Sequence, residues 1–222
     1  MNFIPKTKIS GNASRGLFIA SGAVSPAEIA SVCGFEWLIL DMEHGLGDEN
    51  MTLQQIRALG GSETIPIVRI SSLDAGMIKR FLDYGAAGIM CPMVDNAEQA
   101  RSLVGAMRYP PDGTRGLTGS SRASSYGAGF KDYFKNANGN LLCIAQIETA
   151  EGVENVDSIA AVSGIDVLFI GHSDLSLNLG CHNDFENVKM RSAENAVLEA
   201  CARHGKMPGM LMKSGMKPND CI

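Results

Sequence analysis

The feature that most restricts what this chain can fold into is an alternation of short, almost wholly apolar runs with stretches of helical period. The runs are GLFIA (16–20), WLILDME (37–43), IPIVRI (65–70), GIMCP (88–92), LLCIAQIE (141–148), VLFIG (167–171) and MPGML (207–211). A strand with one wet face alternates polar and apolar residues, whereas these runs do not. They read as strands buried on both faces, which parallel sheets require. Between them, SPAEIASVC begins at Ser25 with Pro26 at a first helical position, and DAGMIKRFLDYG runs from Asp74 to Gly85.

Such alternation in 222 residues leaves two architectures, an open doubly wound sheet or a closed eightfold barrel. No GxGxxG follows the first run, which removes the usual dinucleotide reading of the open sheet. Polar residues sit instead at the carboxyl ends of several strands: Asp41 and Glu43, then Arg69, then Gln146 and Glu148. Barrel active sites are assembled from such positions. The expectation is an α/β chain forming a single (β/α) barrel domain over residues 1–222. Seven strands can be placed and the chain ends at KPNDCI soon after the seventh. Unless something else covers the open edge, the barrel is therefore expected to lack its last strand and helix, and to be poorly soluble or to associate irregularly. The stretch from Arg108 to Asn140, with RYPPDGTRGLTGSSRASSYGAG, reads as a long connection, expected over the barrel mouth.

Composition narrows the class of partner. A hydrophobic share of 45% and a charged share of 19% describe an ordinary globular chain. A net charge of -5 without a Lys/Arg cluster argues against nucleic acid. The N-terminal MNFIPKTKIS has no signal-peptide pattern and no run approaches ~18 apolar residues, so neither export nor a membrane is expected. The six cysteines (33, 91, 143, 181, 201 and 221) form no CxxC pair, which fits a reduced, cytoplasmic setting.

Glu148 ends one apolar run, and Gln146, two residues earlier, shares its face. Asp174 follows the next run, in VLFIGHSDLS. Two carboxylates at the tops of adjacent parallel strands make an oxygen site suited to Mg2+ or Mn2+. Read singly, each acid more often faces the dipole of the following helix. Asp41, Glu43 and His44 crowd the end of the second run. A histidine there can serve as general base, because an acidic neighbour orients the ring and stabilises the proton it takes up. A surface loop histidine is the plainer alternative. Arg69 closes a run otherwise fit for burial, and a buried guanidinium must meet an anion, either a protein carboxylate or substrate. Asp83 sits in the last turn of its helix, against the macrodipole, which permits a functional partner without demanding one. His172 lies within the Asp174 loop, where it could line the site.

The segments LILDMEHG, IPIVRI, GAAGIMCPMVDNAEQA, RYPPDGTRG, QIETAEGVENVDSIAAVSGID and FIGHSDLSLNLG together resemble the HpcH/HpaI aldolase family of the phosphoenolpyruvate/pyruvate superfamily, over Gly16 to Leu211. The joint occurrence of QIET and SDLS carries the resemblance. It implies a TIM-type barrel and a class II aldolase, which cleaves a 4-hydroxy-2-oxo acid to pyruvate and an aldehyde with a divalent metal, Mg2+, Mn2+ or Co2+. By the same resemblance Glu148 and Asp174 are the metal ligands, and Gln146 contacts substrate. The backbone at Ser173 and Asp174 cradles the substrate carboxylate. His44 is the base, Asp83 the acid that supports it, and Arg69 the group that stabilises the enolate. The resemblance further implies a homo-oligomer, a hexamer in many members. Where this chain has His172, members commonly carry proline or a small residue. Oxaloacetate decarboxylation or carbon-carbon bond formation at the same enolate site is the alternative within the superfamily, and a truncated, non-catalytic paralogue that survives as a binding or interaction protein is the second alternative.

Overall fold

The computed structural model describes residues 14–212 and forms a strand from each apolar run: β1 (Gly16–Ile19), β2 (Trp37–Asp41), β3 (Ile65–Arg69), β4 (Gly88–Cys91), β5 (Leu142–Ile147), β6 (Val167–Ile170) and β7 (Met207–Met210). The helices are α1 (Ser25–Val32), α2 (Glu49–Ala58), α3 (Ala75–Tyr84), α4 (Ala97–Met107), α5 (Phe130–Asn140), α6 (Ala150–Glu154), α7 (Val156–Ala160), α8 (His172–Asn178) and α9 (Val188–His204). Strand order follows chain order from β1 to β7. A doubly wound sheet would reverse direction at a switch point, so this succession is of the barrel type. Among the described residues no eighth strand follows β7. The N-terminal MNFIPKTKIS and the closing KPNDCI with Cys221, on which some expectations rest, lie outside the described residues.

Contacts divide the chain into two compact units, one formed by residues up to Met90 with Gly105–Leu142, the other by Cys91–Val104 with the residues from Cys143 on. In the first, β1, β2, β3 and β4 pair in parallel, and Asp41 stands beside Arg69 in the register of β2 and β3. All of β3 is buried, proline and arginine included. Each fully buried Leu, Ile or Val there contributes about 1.5–3 kcal/mol. The helices start where short acceptors allow it: Asp48 and Asp74 each accept a backbone N–H three residues on, at 2.7 Å. α3 stops at Gly85, whose φ of 101° suits glycine and where a Cβ would lie 2.7 Å from Arg122 Nη1.

The segment expected over the barrel mouth is elsewhere. α4 is complete before Arg108, so the segment joins a helix to the start of a strand, the end of the layer opposite the strand termini. It is also partly helical, with a 3-10 turn at Arg122–Gly127 and then α5. Arg122 donates to the carbonyls of Tyr84 (2.8 Å) and Ile56 (3.5 Å), which the ends of α3 and α2 leave without helical donors. Arg115, its side chain fully buried, donates to Asp83 at 2.7 Å and to the Tyr133 hydroxyl at 3.1 Å, with its guanidinium 4.5 Å from the Tyr109 ring centre. These two arginines fix the segment against the C-terminal ends of α2 and α3.

In the second unit β5, β6 and β7 pair in parallel. α9 packs on β6, β7 and α7. Its ends are set by Asn187, which accepts from Lys189 N at 3.1 Å, and by Gly205, with φ 64°. Thr149 caps α6 by accepting from Gly152 N at 2.9 Å and donates to Asp95.

Candidate active site

In the first unit, the ends of β2 and β3 form one charged group. Arg69 Nε and Nη2 donate to the two Asp41 oxygens at 2.8 and 2.7 Å, a bidentate fork across adjacent strands. Arg69 Nη1 lies 3.0 Å from Glu43 Oε2, and its guanidinium is 5.1 Å from the Phe18 ring centre. Asp41 Oδ1 also accepts from the backbone of Glu43 (3.1 Å) and His44 (3.3 Å), which folds the chain back just past the strand. Burial pushes the Asp41 carboxyl up, but the Arg69 fork and the two backbone donors outweigh it and hold the group below the ordinary carboxylate range. The anion that a buried Arg69 requires is thus supplied by protein. His44 itself is exposed, with Nε2 3.7 Å from Glu43 Oε1.

Asp83 is not part of that group. It stands in the last turn of α3, at the end of the layer where strands begin, whereas His44 follows the end of β2. Its carboxylate takes Arg115, which accounts for a negative charge placed against the helix dipole. The carboxylate that the structure sets beside His44 is Glu43.

In the second unit, Gln146 and Glu148 close β5, buried at 3% and 1% exposure. Glu148 Oε1 accepts from Met93 N at 3.2 Å, and Val94 N donates to Gln146 O at the same distance. Met93, which donates this N–H, has a positive φ of 51°, a sparsely populated conformation for a residue with a side chain. Gly171, at the end of β6, passes so close that a Cβ there would lie 2.7 Å from Glu148 Oε2 and 2.9 Å from Gln146 Nε2. His172, Ser173 and Asp174 then form the first turn of α8, whose N–H groups have no acceptor within the helix. His172 is buried, its Nε2 2.8 Å from Glu194 Oε1 on α9, and Phe185 meets its ring edge-on.

This second group suits a hard divalent cation. Its donors are carboxylate oxygens, Glu148 is buried, and Gln146 Oε1 is a buried acceptor without a hydrogen-bond donor. Among the described residues no three His, Cys, Asp or Glu side chains cluster as a complete metal cage. Two protein carboxylates would leave the other positions to water and substrate, as Mg2+ sites commonly do. The sequence pointed to Gln146, Glu148, Ser173 and Asp174, but it gave no sign of Met93 or Glu194. Gly171 carried a usable signal, since a glycine between a buried strand and a polar turn often marks a close backbone approach.

Comparison with known proteins bears on this arrangement. A family model described as HpcH/HpaI aldolase/citrate lyase matches residues 14–213. A 5-keto-4-deoxy-D-glucarate aldolase of Enterobacter sp. (strain 638) is 38% identical over 88% of this chain and 76% of its own length. The crystal structure of a family protein from Burkholderia cenocepacia J2315 matches with a TM-score of 0.87 at 34% identity, over 92% of this chain and 82% of that one. An HpcH/HpaI aldolase from Desulfitobacterium hafniense DCB-2 matches with a TM-score of 0.88 at 29% identity, over 96% and 83%.

Proposed function

The chain belongs to the HpcH/HpaI aldolase/citrate lyase family, and on that premise we propose that it is a divalent-metal-dependent aldolase that cleaves a 4-hydroxy-2-oxo acid to pyruvate and an aldehyde. The observation that carries the proposal is the pair Gln146 and Glu148, buried at the end of β5 against the bare backbone of Gly171, with Asp174 three residues further on. Glu148 and Asp174 would hold the cation, Mg2+, Mn2+ or Co2+. When bound, it supplies Lewis acidity toward the 2-oxo group of the substrate.

The chain's own residues account for the rest. Gln146 has an unused buried acceptor and an amide to offer substrate, and the first-turn N–H groups at Ser173 and Asp174 suit its carboxylate. His44 takes the proton from the C4 hydroxyl; the C3–C4 bond breaks, its electron pair passes to pyruvate as the enolate, and the aldehyde leaves. Arg69, held by Asp41 and Glu43, would stabilise the developing negative charge with a fixed guanidinium that needs no reorganisation. Protonation of the enolate at C3 completes pyruvate. Within this chain Glu43 stands beside His44, and Asp83, the acid that the resemblance assigns to the support of that base, pairs with Arg115.

No helix among the described residues is long and apolar enough to cross a membrane. The cysteine pattern, with no CxxC pair, supports a cytoplasmic reading. The substrate to test first is 5-keto-4-deoxy-D-glucarate, the compound in the relatives' name. Pyruvate release should require added Mg2+ or Mn2+ and stop on chelation; an undiminished rate in the chelated protein would refute the metal-dependent reading.

A further inference from the structure

The β6–α8 turn carries Asp174, yet little within the turn can fix it. Gly171 has no side chain and sits at φ -88°, ψ 83°, outside helical and strand geometry. α8 spans seven residues, too few to be rigid alone. Two contacts anchor the turn from outside. Beyond Asp174, Ser176 Oγ donates to Ser173 O at 2.9 Å and accepts from Asn183 N at 3.1 Å. Before it, His172 is 7% exposed and bonded to Glu194 at 2.8 Å, with Phe185 against its ring. Glu194 rides on α9, the long helix capped at both ends and packed on β6 and β7. Ser173 and Asp174 lie between the two anchors, and the His172–Glu194 contact ties them to α9, a helix of 17 residues.

A buried polar pair adds little net stability compared with an apolar pair of the same shape, so its usefulness lies in fixing geometry. A metal carboxylate has narrow tolerance, since Mg2+–oxygen distances fall at about 2.0–2.1 Å. We propose that the His172–Glu194 pair is a positioning device, which holds the β6–α8 turn so that Asp174 meets the divalent cation and thereby sets metal affinity. The proposal rests on the reading of Glu148 and Asp174 as ligands. His172 touches no reacting atom in this account and acts only through the turn.

The test is a titration of the full chain with Mn2+, followed by the electron paramagnetic resonance signal of the free ion, with the metal-free melting temperature recorded for each variant. Glu148→Gln should abolish tight binding and so establish the site. His172→Ala and Glu194→Ala should each weaken Mn2+ binding by about 10-fold or more, the range found when outer-shell partners are removed. The double variant should be no weaker than either single one, because the pair acts as a unit. Glu194→Gln keeps an acceptor for the imidazole and should recover most of the affinity. A merely structural pair would lower the metal-free melting temperature and leave the Mn2+ dissociation constant of the folded protein at the parent value; that result would overturn the proposal while leaving the ligands in place. Parent-like binding by Glu148→Gln would instead remove the underlying site. Should His172→Ala fail to fold, Glu194→Ala, altered on a partly exposed face of α9, gives the same readout.

Discussion

A guanidinium at the end of a fully buried strand needs an anion, and Asp41 meets it with both oxygens. Breaking such a pair from one side leaves a charge uncompensated, so Asp41→Asn should destabilise the protein by about 3 kcal/mol at neutral pH. The pH dependence follows from the same contact. Asp41 has a folded pKa below its unfolded value, so its stabilising contribution is complete above the unfolded pKa of about 3.8 and is lost as pH falls through the folded value. Urea unfolding from pH 7 to pH 3 should show a shallower acid limb in Asp41→Asn than in the parent; equal limbs would mean that Asp41 does not carry the shift. Arg69→Lys removes the planar fork and should cost about 100-fold in turnover, with proton exchange into pyruvate slowed alongside. Exchange at the parent rate would leave Arg69 a structural role only. For His44→Ala, turnover should fall at least about 100-fold while pyruvate binds almost as before, since a base acts chiefly in the transition state. A collapse of pyruvate affinity with turnover intact would make His44 a binding residue.

Between elements, the contacts that matter are backbone approaches, and Gly171 is the sharpest. Alanine there would push its Cβ into Glu148 and Gln146, so Gly171→Ala should cost about 1–3 kcal/mol in stability and blunt the response to metal. A variant with the parent's metal-induced shift in melting temperature would show that the turn has room to give. The elements themselves were legible in the sequence, because period and burial are local signals: seven apolar runs became seven strands, and Asp74 and Gly85 bound α3. The stretch after Arg108 was not. Its helix α5 and its place at the strand starts depend on Arg115 and Arg122 finding Asp83 and the carbonyls of Tyr84 and Ile56, partners that no local pattern reveals. The candidate site was legible in its acids, amide, arginine and histidine, since each sits where polar groups are out of keeping with a buried run. Its supports were not, because the left-handed Met93 and the reach of Glu194 to His172 exist only once the chain is folded.

At the scale of the molecule, both proposed ligands belong to the unit formed by Cys91–Val104 and the residues from Cys143 on, so a cation would act first on that unit's stability. Two carboxylates that share a site repel one another until a cation is present, which places a cost on the metal-free state. A ligand at about 100 times its dissociation constant stabilises the folded state by about 2.7 kcal/mol, worth roughly 5–10 °C in melting temperature for a chain of this size. Mg2+, Mn2+ or Co2+ should therefore raise the melting temperature of the chelated protein by that order and restore its activity. The gain should also appear locally, as slower hydrogen exchange at the amide of Met93, which donates to Glu148. Glu148→Gln combined with Asp174→Asn should remove the thermal shift, the exchange protection and the metal-dependent activity together, while leaving the metal-free protein no less stable. A double variant that still responded to metal like the parent would place the cation on other residues.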